Sequence, residues 1–187
     1  MLQTAAMMRH RAFLATGLGL CMVLGCRASG PKAFREQYGA GQEAYRAGRP
    51  SEAIEAYRAA LRIRPDSAEA HNDLGAALYD TGQREAAIQE YQRALRLNPD
   101  YADAHNNLGV ALLAGGQIAP AVGEYRQAVD LRPDFAAARY NLCLGLELLA
   151  QIPEALHECR LVADREPDWP GVQAAVDRLQ GKLAEQP

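Results

Sequence analysis

Apolar residues in the middle of the chain recur at helical spacing in two short blocks. Leu74 and Leu78 lie about one helical turn apart, and Gly82 interrupts the pattern. A second apolar stripe runs from residue 87 to residue 95 and stops before Pro99. Spacing of three or four positions places residues on one face of a helix, whereas glycine and proline mark helix ends. The pattern therefore predicts two antiparallel helices joined by a short turn.

The same pattern is written again 34 residues further along the chain. The segment Ala70–Gly75 returns as Ala104–Gly109 with a single residue changed. Moving the frame by the same step in each direction adds one weaker copy at either end. A fixed period of this length indicates a solenoid, in which neighbouring helix pairs bury each other's apolar faces. We predict four repeats, over residues 34–67, 68–101, 102–135 and 136–169.

Six positions of the repeat carry a family resemblance. In the second copy they are held by Leu74, Gly75, Ala87, Tyr91, Ala94 and Pro99. This spacing resembles the tetratricopeptide repeat (TPR), and the resemblance covers about three-quarters of the chain. It implies an all-α solenoid of helix–turn–helix repeats. We expect Gly75 and Ala87 to be small because two helix backbones approach closely there, and Tyr91 to fill the space between one helix pair and the next.

A further helical pattern follows the fourth repeat. Pro170 can open a helix, and the single apolar stripe after it consists of Val172, Val176, Leu179 and Leu183. We predict that residues 170–187 form a capping helix and tail, which closes the otherwise exposed end of a solenoid. The alternative is a helix that docks on a partner.

The N-terminal residues have the pattern of an export signal. Arg9 and Arg11 precede an apolar run over residues 12–24, which is too short to span a bilayer comfortably. A basic segment followed by such a run is typical of a secretory signal peptide. The run ends in Val23-Leu24-Gly25-Cys26, which resembles the bacterial lipoprotein box. We predict a signal peptide over residues 1–25, lipidation of Cys26, and a short tether up to residue 33.

The lipoprotein resemblance implies that Cys26 becomes the first residue of the mature protein and carries three acyl chains. The chain would then face the periplasm, and Arg27 in place of an aspartate favours the outer membrane, by resemblance to enterobacterial sorting. The tether contains Ser29-Gly30-Pro31, residues that favour a turn. Two alternatives stay open: an uncleaved anchor, or an apolar leader whose true start is Met7 or Met8.

Charge and motifs narrow the functional classes. The formal net charge is −3 and 23% of the residues are charged, without a run of Lys and Arg that would form a basic stripe for nucleic acid. The sequence has no phosphate-binding loop, no cofactor fingerprint and no nucleophile with a plausible partner. We therefore predict that the protein is not an enzyme and takes no cofactor, nucleic acid or small-molecule substrate.

His71 and His105 hold the same position in two repeats and raise the question of a metal site. Equivalent positions of stacked repeats lie about 10 Å apart, judged from helix-packing distances. Zinc holds its nitrogen ligands at about 2.0–2.1 Å, so the two imidazoles cannot share one ion. We expect both to serve in packing or hydrogen bonding between helices, and we predict no metal site.

Cys143 and Cys159 stand where the fourth repeat should have its glycine and tyrosine. In the TPR pattern these positions lie on facing sides of a helix pair, so a disulfide is possible, and an exported protein would retain it. The alternative is two buried thiols that act as small apolar residues. No base is paired with either thiol, which argues against a catalytic cysteine.

The concave face is the surface that the TPR resemblance assigns to binding, and it is lined by the first helix of each repeat. Asparagine there can pair with both the donor and the acceptor of a peptide backbone. Asn107 and Asn141 resemble an asparagine ladder that Asp73 interrupts. The predicted groove residues are Tyr38, Tyr45, Asn72, Asp73, Tyr79, Asn106, Asn107, Val110, Tyr140 and Asn141.

These features together predict a TPR lipoprotein, anchored in the bacterial envelope, that binds a protein or peptide segment in its concave groove. The layout resembles pilotins and assembly factors for type IV pili, secretins and cell-wall machinery. Two other classes stay open. One is a cytosolic TPR adaptor whose leader is misread. The other is a self-associating solenoid that stacks between molecules through its thin first repeat, where Ala40 and Ala44 replace leucines.

Overall fold

A computed structural model describes residues 21–185 of the chain, with side chains from Gly30 onward. Within this range the backbone forms nine α-helices and no strand, which confirms the all-α fold. The helices are α1 (Cys21–Arg46), α2 (Pro50–Ile63), α3 (Ala68–Asp80), α4 (Arg84–Leu97), α5 (Ala102–Ala114), α6 (Ile118–Leu131), α7 (Ala136–Leu148), α8 (Ile152–Arg165) and α9 (Val172–Ala184).

The helices form successive pairs whose boundaries repeat every 34 residues. The first helices of the second, third and fourth pairs begin at Ala68, Ala102 and Ala136. Each helix packs on the next one along the chain, so the pairs stack in sequence order. This is the solenoid that the repeated apolar pattern predicts, because neither helix of a pair can bury its stripe alone.

A residue with positive φ closes the turn inside each pair. Gly48, Gly82 and Gly116 hold this position with φ of 70°, 78° and 75°. The fourth repeat has Ala150 there, with φ of 58°. Because its Cβ approaches the following carbonyl oxygen, an alanine in this conformation costs roughly 1–2 kcal/mol. The packing of the fourth repeat must offset that cost.

The first helix, α1, extends well beyond the first repeat. It begins at Cys21 and includes Pro31. The turn predicted at residues 29–31 is therefore wrong, since these residues are helical even though proline donates no backbone hydrogen bond. Residues 1–20, which hold most of the predicted signal peptide, lie outside the described residues, as does the side chain of Cys26. Among the helices that are described, none is long and apolar enough to cross a membrane.

Buried glycine–tyrosine pairs form the centre of the first three repeats. A Cβ added to Gly75 would lie 2.6 Å from the ring of Tyr91, and one added to Gly109 would lie 2.5 Å from the ring of Tyr125. The predicted reason for these glycines is thereby corrected, because each makes room for the tyrosine ring of its own repeat. The tyrosine also reaches the next repeat, as predicted, since a Cβ at Gly145 would lie 3.8 Å from the ring of Tyr125.

The last helix, α9, packs against α8 and covers the C-terminal end of the fourth repeat. Three of the residues on its buried side are Val172, Val176 and Leu179. Leu183, predicted on the same stripe, is 38% exposed. The helix begins after Gly171, whose φ is 78°, and not at Pro170.

Candidate functional site

The first helices of the four repeats, α1, α3, α5 and α7, line the inner side of the solenoid. Neighbouring first helices contact one another directly, which identifies this side as the concave face. All the predicted groove residues lie on these helices. We use the term concave groove for the inner face of these four helices, where the predicted residues are Tyr38, Tyr45, Asn72, Asp73, Tyr79, Asn106, Asn107, Val110, Tyr140 and Asn141.

Polar side chains connect neighbouring repeats across the floor of the concave groove. Asn107 Nδ2 donates to Asn72 Oδ1 at 3.1 Å, and Asn141 Nδ2 donates to Asn106 Oδ1 at 2.9 Å. The partners are 35 residues apart in both cases. Each bond therefore joins the fifth position of one repeat to the sixth position of the next.

Between the first and second repeats, the same two positions are joined by a hydrogen bond between different side chains. The hydroxyl of Tyr38 donates to Asp73 Oδ2 at 2.7 Å, again across 35 residues. Burial, and then this hydrogen bond, hold the pKa of Tyr38 well above its ordinary value, so the hydroxyl stays protonated. Asp73 thus does not break the predicted ladder but ends it with a carboxylate.

Bonds within each repeat complete the polar chain. Asn72 Nδ2 donates to Asp73 Oδ1 at 3.3 Å, and Asn106 Nδ2 donates to Asn107 Oδ1 at 3.4 Å. Asn72 and Asn106 are only 6% and 9% exposed. These two residues lie between the helices rather than on the surface of the groove. Their half-buried neighbours Asp73 and Asn107 are the more accessible side chains of the polar chain.

The amide of Asn107 is only partly used by the protein. A carboxamide offers two N–H donors and an oxygen with two lone pairs. Of these, Asn107 uses one N–H toward Asn72 and one lone pair toward Asn106. One donor and one acceptor remain, which is the pair of groups that an extended peptide backbone would match.

The opening of the concave groove at the first two repeats is lined by tyrosines and carboxylates. The hydroxyl of Tyr45 donates to Asp80 Oδ2 at 2.7 Å, once more across 35 residues. Burial, and then the bond to Asp80, raise the pKa of Tyr45 to about 12. A cavity of about 190 Å³ lies here, between α1, α2 and α3; its lining residues include Gln42, Tyr45, Arg46, Tyr57 and Asp73.

In the other half of the concave groove, apolar side chains lie beside the asparagines of α5 and α7. Val110, Leu113 and Leu144 are half-buried on α5 and α7. Leu148, at the end of α7, is 59% exposed, the most of any large apolar side chain within the described residues. The 35-residue register that brings Tyr45 to Asp80 also relates Leu113 to Leu148. The concave groove therefore becomes more apolar along its length, and the carboxylates of its first half give way to leucines.

The capping helix neutralises the acid at this apolar end. Glu147 accepts from Arg178 at 2.8 and 2.7 Å and from Lys182 Nζ at 2.7 Å. The hydrogen bond from Arg178, more than any other contact, lowers the pKa of Glu147 to about 2. Tyr140, a groove residue of the last repeat, lies against Trp169, with ring centroids 6.4 Å apart. The last repeat is thus closed by charge pairing as well as by apolar packing.

The histidines connect the two helices of a repeat to the end of the preceding repeat. His71 Nδ1 lies 2.6 Å from Glu90 Oε2, and its Nε2 lies 3.0 Å from the carbonyl oxygen of Pro65. His105 has the same two kinds of partner, Glu124 at 2.7 Å and the carbonyl of Pro99 at 2.9 Å. This confirms the predicted hydrogen-bonding role. The residues described from 21 to 185 hold no group of three metal-ligating side chains that could bind an ion.

The glutamate partners of the histidines were missed at the level of sequence. A glutamate recurs every 34 residues, at Glu90, Glu124 and Glu158. This recurrence would have identified the partners from the sequence. In the fourth repeat the histidine is replaced by Arg139, which donates to Glu158 and, at 2.9 Å, to the carbonyl of Pro133. The same connection is therefore made three times, twice with imidazole and once with guanidinium.

The two cysteines of the fourth repeat are joined in the structure. Their sulfurs are 2.08 Å apart and their Cα atoms 5.5 Å apart, across a separation of 16 residues. Both Cys143 and Cys159 are fully buried. The bond links α7 to α8 on the side of the pair that other repeats fill with a glycine and a tyrosine.

Comparison with known protein families agrees with this geometry. The family described as TPR repeat matches residues 41–82 and 75–116, and the family described as tetratricopeptide repeat matches residues 102–135. Together these matches span just over half of the chain. A search of curated proteins finds no significant match.

Several solved structures are similar in fold. MamA is 27% identical, with 78% of this chain and 85% of that chain covered and a TM-score of 0.68. PilF from Pseudomonas aeruginosa is 23% identical, covers 84% and 72% of the two chains, and has a TM-score of 0.75. YrrB, described as a TPR protein with an unusual peptide-binding site, is 19% identical, covers 84% and 85%, and has a TM-score of 0.71. The last two similarities, at such low identity, concern the fold alone.

Proposed function

The chain belongs to the tetratricopeptide repeat family, and from this we propose that it is an interaction scaffold whose concave groove binds an extended segment of a partner protein. The single observation that carries the proposal is the polar chain along the groove floor. Asn107 and Asn141 sit there at a fixed register, and Asn107 keeps one donor and one acceptor free. Such a pair of groups matches the N–H and C=O of a peptide backbone.

We further propose that the scaffold is a lipoprotein of the bacterial envelope. The support comes from the sequence, where a basic and apolar leader ends in Val23-Leu24-Gly25-Cys26. Acylation at Cys26 would hold the solenoid at a membrane on its periplasmic side, and several acyl chains anchor far more stably than one. Arg27 favours the outer membrane as the destination.

In this setting the scaffold acts as an assembly factor, in the manner of a pilotin. A tethered groove raises the local concentration of any segment that it binds, which favours assembly of that partner at the membrane. The layout of leader, tether and TPR repeats supports this role but does not name the partner, since function depends on the site and not on the fold.

The anchor is tested by the intact mass of the protein purified from bacterial membranes, beside a Cys26→Ser variant. A mature chain that starts at Cys26 and carries diacylglyceryl mass, with both features lost in the variant, is the expected result. An unprocessed chain in the soluble fraction would contradict the anchor and leave the cytosolic adaptor as the better account.

The groove is tested by the proteins that co-purify with the full chain after chemical crosslinking in cells. Replacing Asn107 and Asn141 by alanine should remove the specific partner. Replacing Gln89 and Gln127, two exposed amides on α4 and α6, should leave it bound. A partner retained by the first variant and lost from the second would contradict binding in the groove.

A further inference from the structure

The concave groove is chemically asymmetric, and this asymmetry constrains what it can bind. We infer that the partner segment carries basic side chains toward the first two repeats and apolar side chains toward the last two. The inference rests on the proposed function, because it specifies the occupant of the same groove. The partner is thus defined by its chemistry, as a peptide segment with a basic part and an apolar part that bind at opposite ends of the groove.

Carboxylates without a cationic partner lie in the first half of the groove. Among residues 30–185, none of the ion pairs within 4.0 Å involves Asp73 or Asp80. Asp73 and Asp80 are instead held in place by the tyrosine hydroxyls of the preceding repeat, at 2.7 Å each. Arg46, which also lines the cavity beside Tyr45, offsets part of this charge at the rim.

The fixed carboxylates can still accept hydrogen bonds from a partner. Each carboxylate oxygen has two lone pairs, and Asp73 uses one on each oxygen, toward Tyr38 and Asn72. A lysine or arginine of the partner would satisfy the remaining lone pairs and compensate the charge, because charge-assisted hydrogen bonds are the strong ones. Tyr45 and Tyr79 add aromatic surface, over which a cationic side chain also binds favourably.

The second half of the groove favours an apolar side chain of the partner over a basic one. Leu148 is 59% exposed, beside Leu113 in the repeat register. The acid of this region, Glu147, is already paired with Arg178 and Lys182 of α9, so it does not attract a basic side chain of the partner. A partner residue that covers Leu113 and Leu148 must therefore be apolar, since burying apolar surface against them removes both from water.

The spacing of the two kinds of residue in the partner follows from the geometry. Asp80 and Leu148 hold the same position on α3 and α7, two steps of the solenoid apart, or about 20 Å at helix-packing distances of about 10 Å. An extended segment advances about 3.3 Å per residue. The basic and apolar residues of the partner are therefore expected about six residues apart.

A random twelve-residue peptide library, displayed on phage and selected against the full chain in detergent, tests this inference. The expected result is that selected peptides combine Lys or Arg with Leu, Ile or Phe at about the predicted spacing. Synthetic copies of the selected peptides are then measured by fluorescence anisotropy against two variants. Asp73→Asn with Asp80→Asn removes both carboxylates and keeps the tyrosine hydrogen bonds, whereas Asp130→Asn with Asp164→Asn removes two exposed carboxylates from α6 and α8.

The groove variant should weaken binding by about tenfold, as expected for the loss of hydrogen bonds to a charged group. The α6 and α8 variant should bind within about twofold of the wild type, because those carboxylates lie outside the groove and are screened by solvent. A Leu148→Asn variant should bind the same peptides with lower affinity.

Three results would overturn the inference. Selected peptides that bind in the groove, as judged by their loss in Asn107→Ala, but carry no basic residues would refute the charge assignment and leave the proposed function intact. Equal affinity for the two charge variants would do the same. Failure to select any peptide that Asn107→Ala affects would count against both the inference and the proposed function.

Discussion

Cys143 and Cys159 form a disulfide at the two positions that a glycine and a tyrosine hold in each of the three preceding repeats. In those repeats the tyrosine ring fills the space above the glycine. A cysteine is too small to do so, and the covalent bond supplies the contact instead. The fourth repeat, which also has Ala150 in a conformation costly for alanine, thus relies on a cross-link where the others rely on packing.

Reduction should therefore destabilise the fourth repeat first. Closing a loop of this length contributes about 3 kcal/mol on the chain-entropy model. We expect dithiothreitol to increase hydrogen exchange in α7, α8 and α9, while α3 to α6 stay protected. A Cys143→Gly, Cys159→Tyr variant restores the packing pair of the other repeats, so its exchange should not respond to the reductant. Equal sensitivity of this variant would show that the effect lies elsewhere.

The glycine–tyrosine contact predicts opposite effects on stability when alanine replaces two different helical glycines. Gly109→Ala places a Cβ 2.5 Å from the Tyr125 ring, so something must shift, and such overpacking typically costs about 1–3 kcal/mol. Gly123→Ala, in the middle of α6, meets nothing within 4 Å and should stabilise by about 1 kcal/mol through helix propensity. Urea unfolding of the two variants measures both. Destabilisation by Gly123→Ala would contradict the packing described for α6.

The pairing of His71 with two acceptors predicts a pH dependence of stability. Because Glu90 and the carbonyl of Pro65 both accept, both ring nitrogens must carry protons, and the bond to Glu90 is the main reason that the pKa of His71 is raised. A group whose pKa is raised on folding stabilises fully below its unfolded value of about 6.5 and loses that contribution as pH rises through the folded value. The free energy of unfolding should fall over this range.

Substitution of His71 distinguishes its contribution to the pH dependence of stability from those of other titrating groups. Arg139 makes the same two contacts in the fourth repeat with a charge that does not titrate near neutral pH. His71→Arg should therefore remove the corresponding slope, whereas His157→Gln, at an exposed position of α8, should preserve it. A wild-type stability that stays flat between about pH 6 and pH 8 would refute a protonated His71.

Glu147 gives a pH dependence of the opposite sign at the capping helix. Its pKa is lowered to about 2 by Arg178 and Lys182, so its contribution is present above the unfolded value of about 4.3 and is lost as pH falls toward 2. Glu147→Gln should imitate acid at neutral pH and increase hydrogen exchange in α9. Asp177→Asn, on the same helix but away from Glu147, should not change the exchange of α9.

The period of the sequence predicted the fold because the first three repeats obey the same steric rule and the fourth keeps their apolar spacing. The apolar stripe and the turn glycines recur at fixed positions, and the helix boundaries follow them to within a few residues. The burial of Asn72 and Asn106 between the helices could not be predicted from this period. Whether a position of the groove faces a ligand or a neighbouring repeat depends on contacts across 35 residues, which the pattern within one repeat does not contain.

The central claim, that the concave groove binds a partner segment, is tested most directly by photo-crosslinking in cells. A photoreactive amino acid at Val110, half-buried on the groove side of α5, should yield one discrete adduct. The same amino acid at Gln127, exposed on α6, should yield none of that mass. The Val110 adduct should also disappear when Asn141 is changed to alanine. Adducts that form from position 127 and not from position 110 would contradict the account.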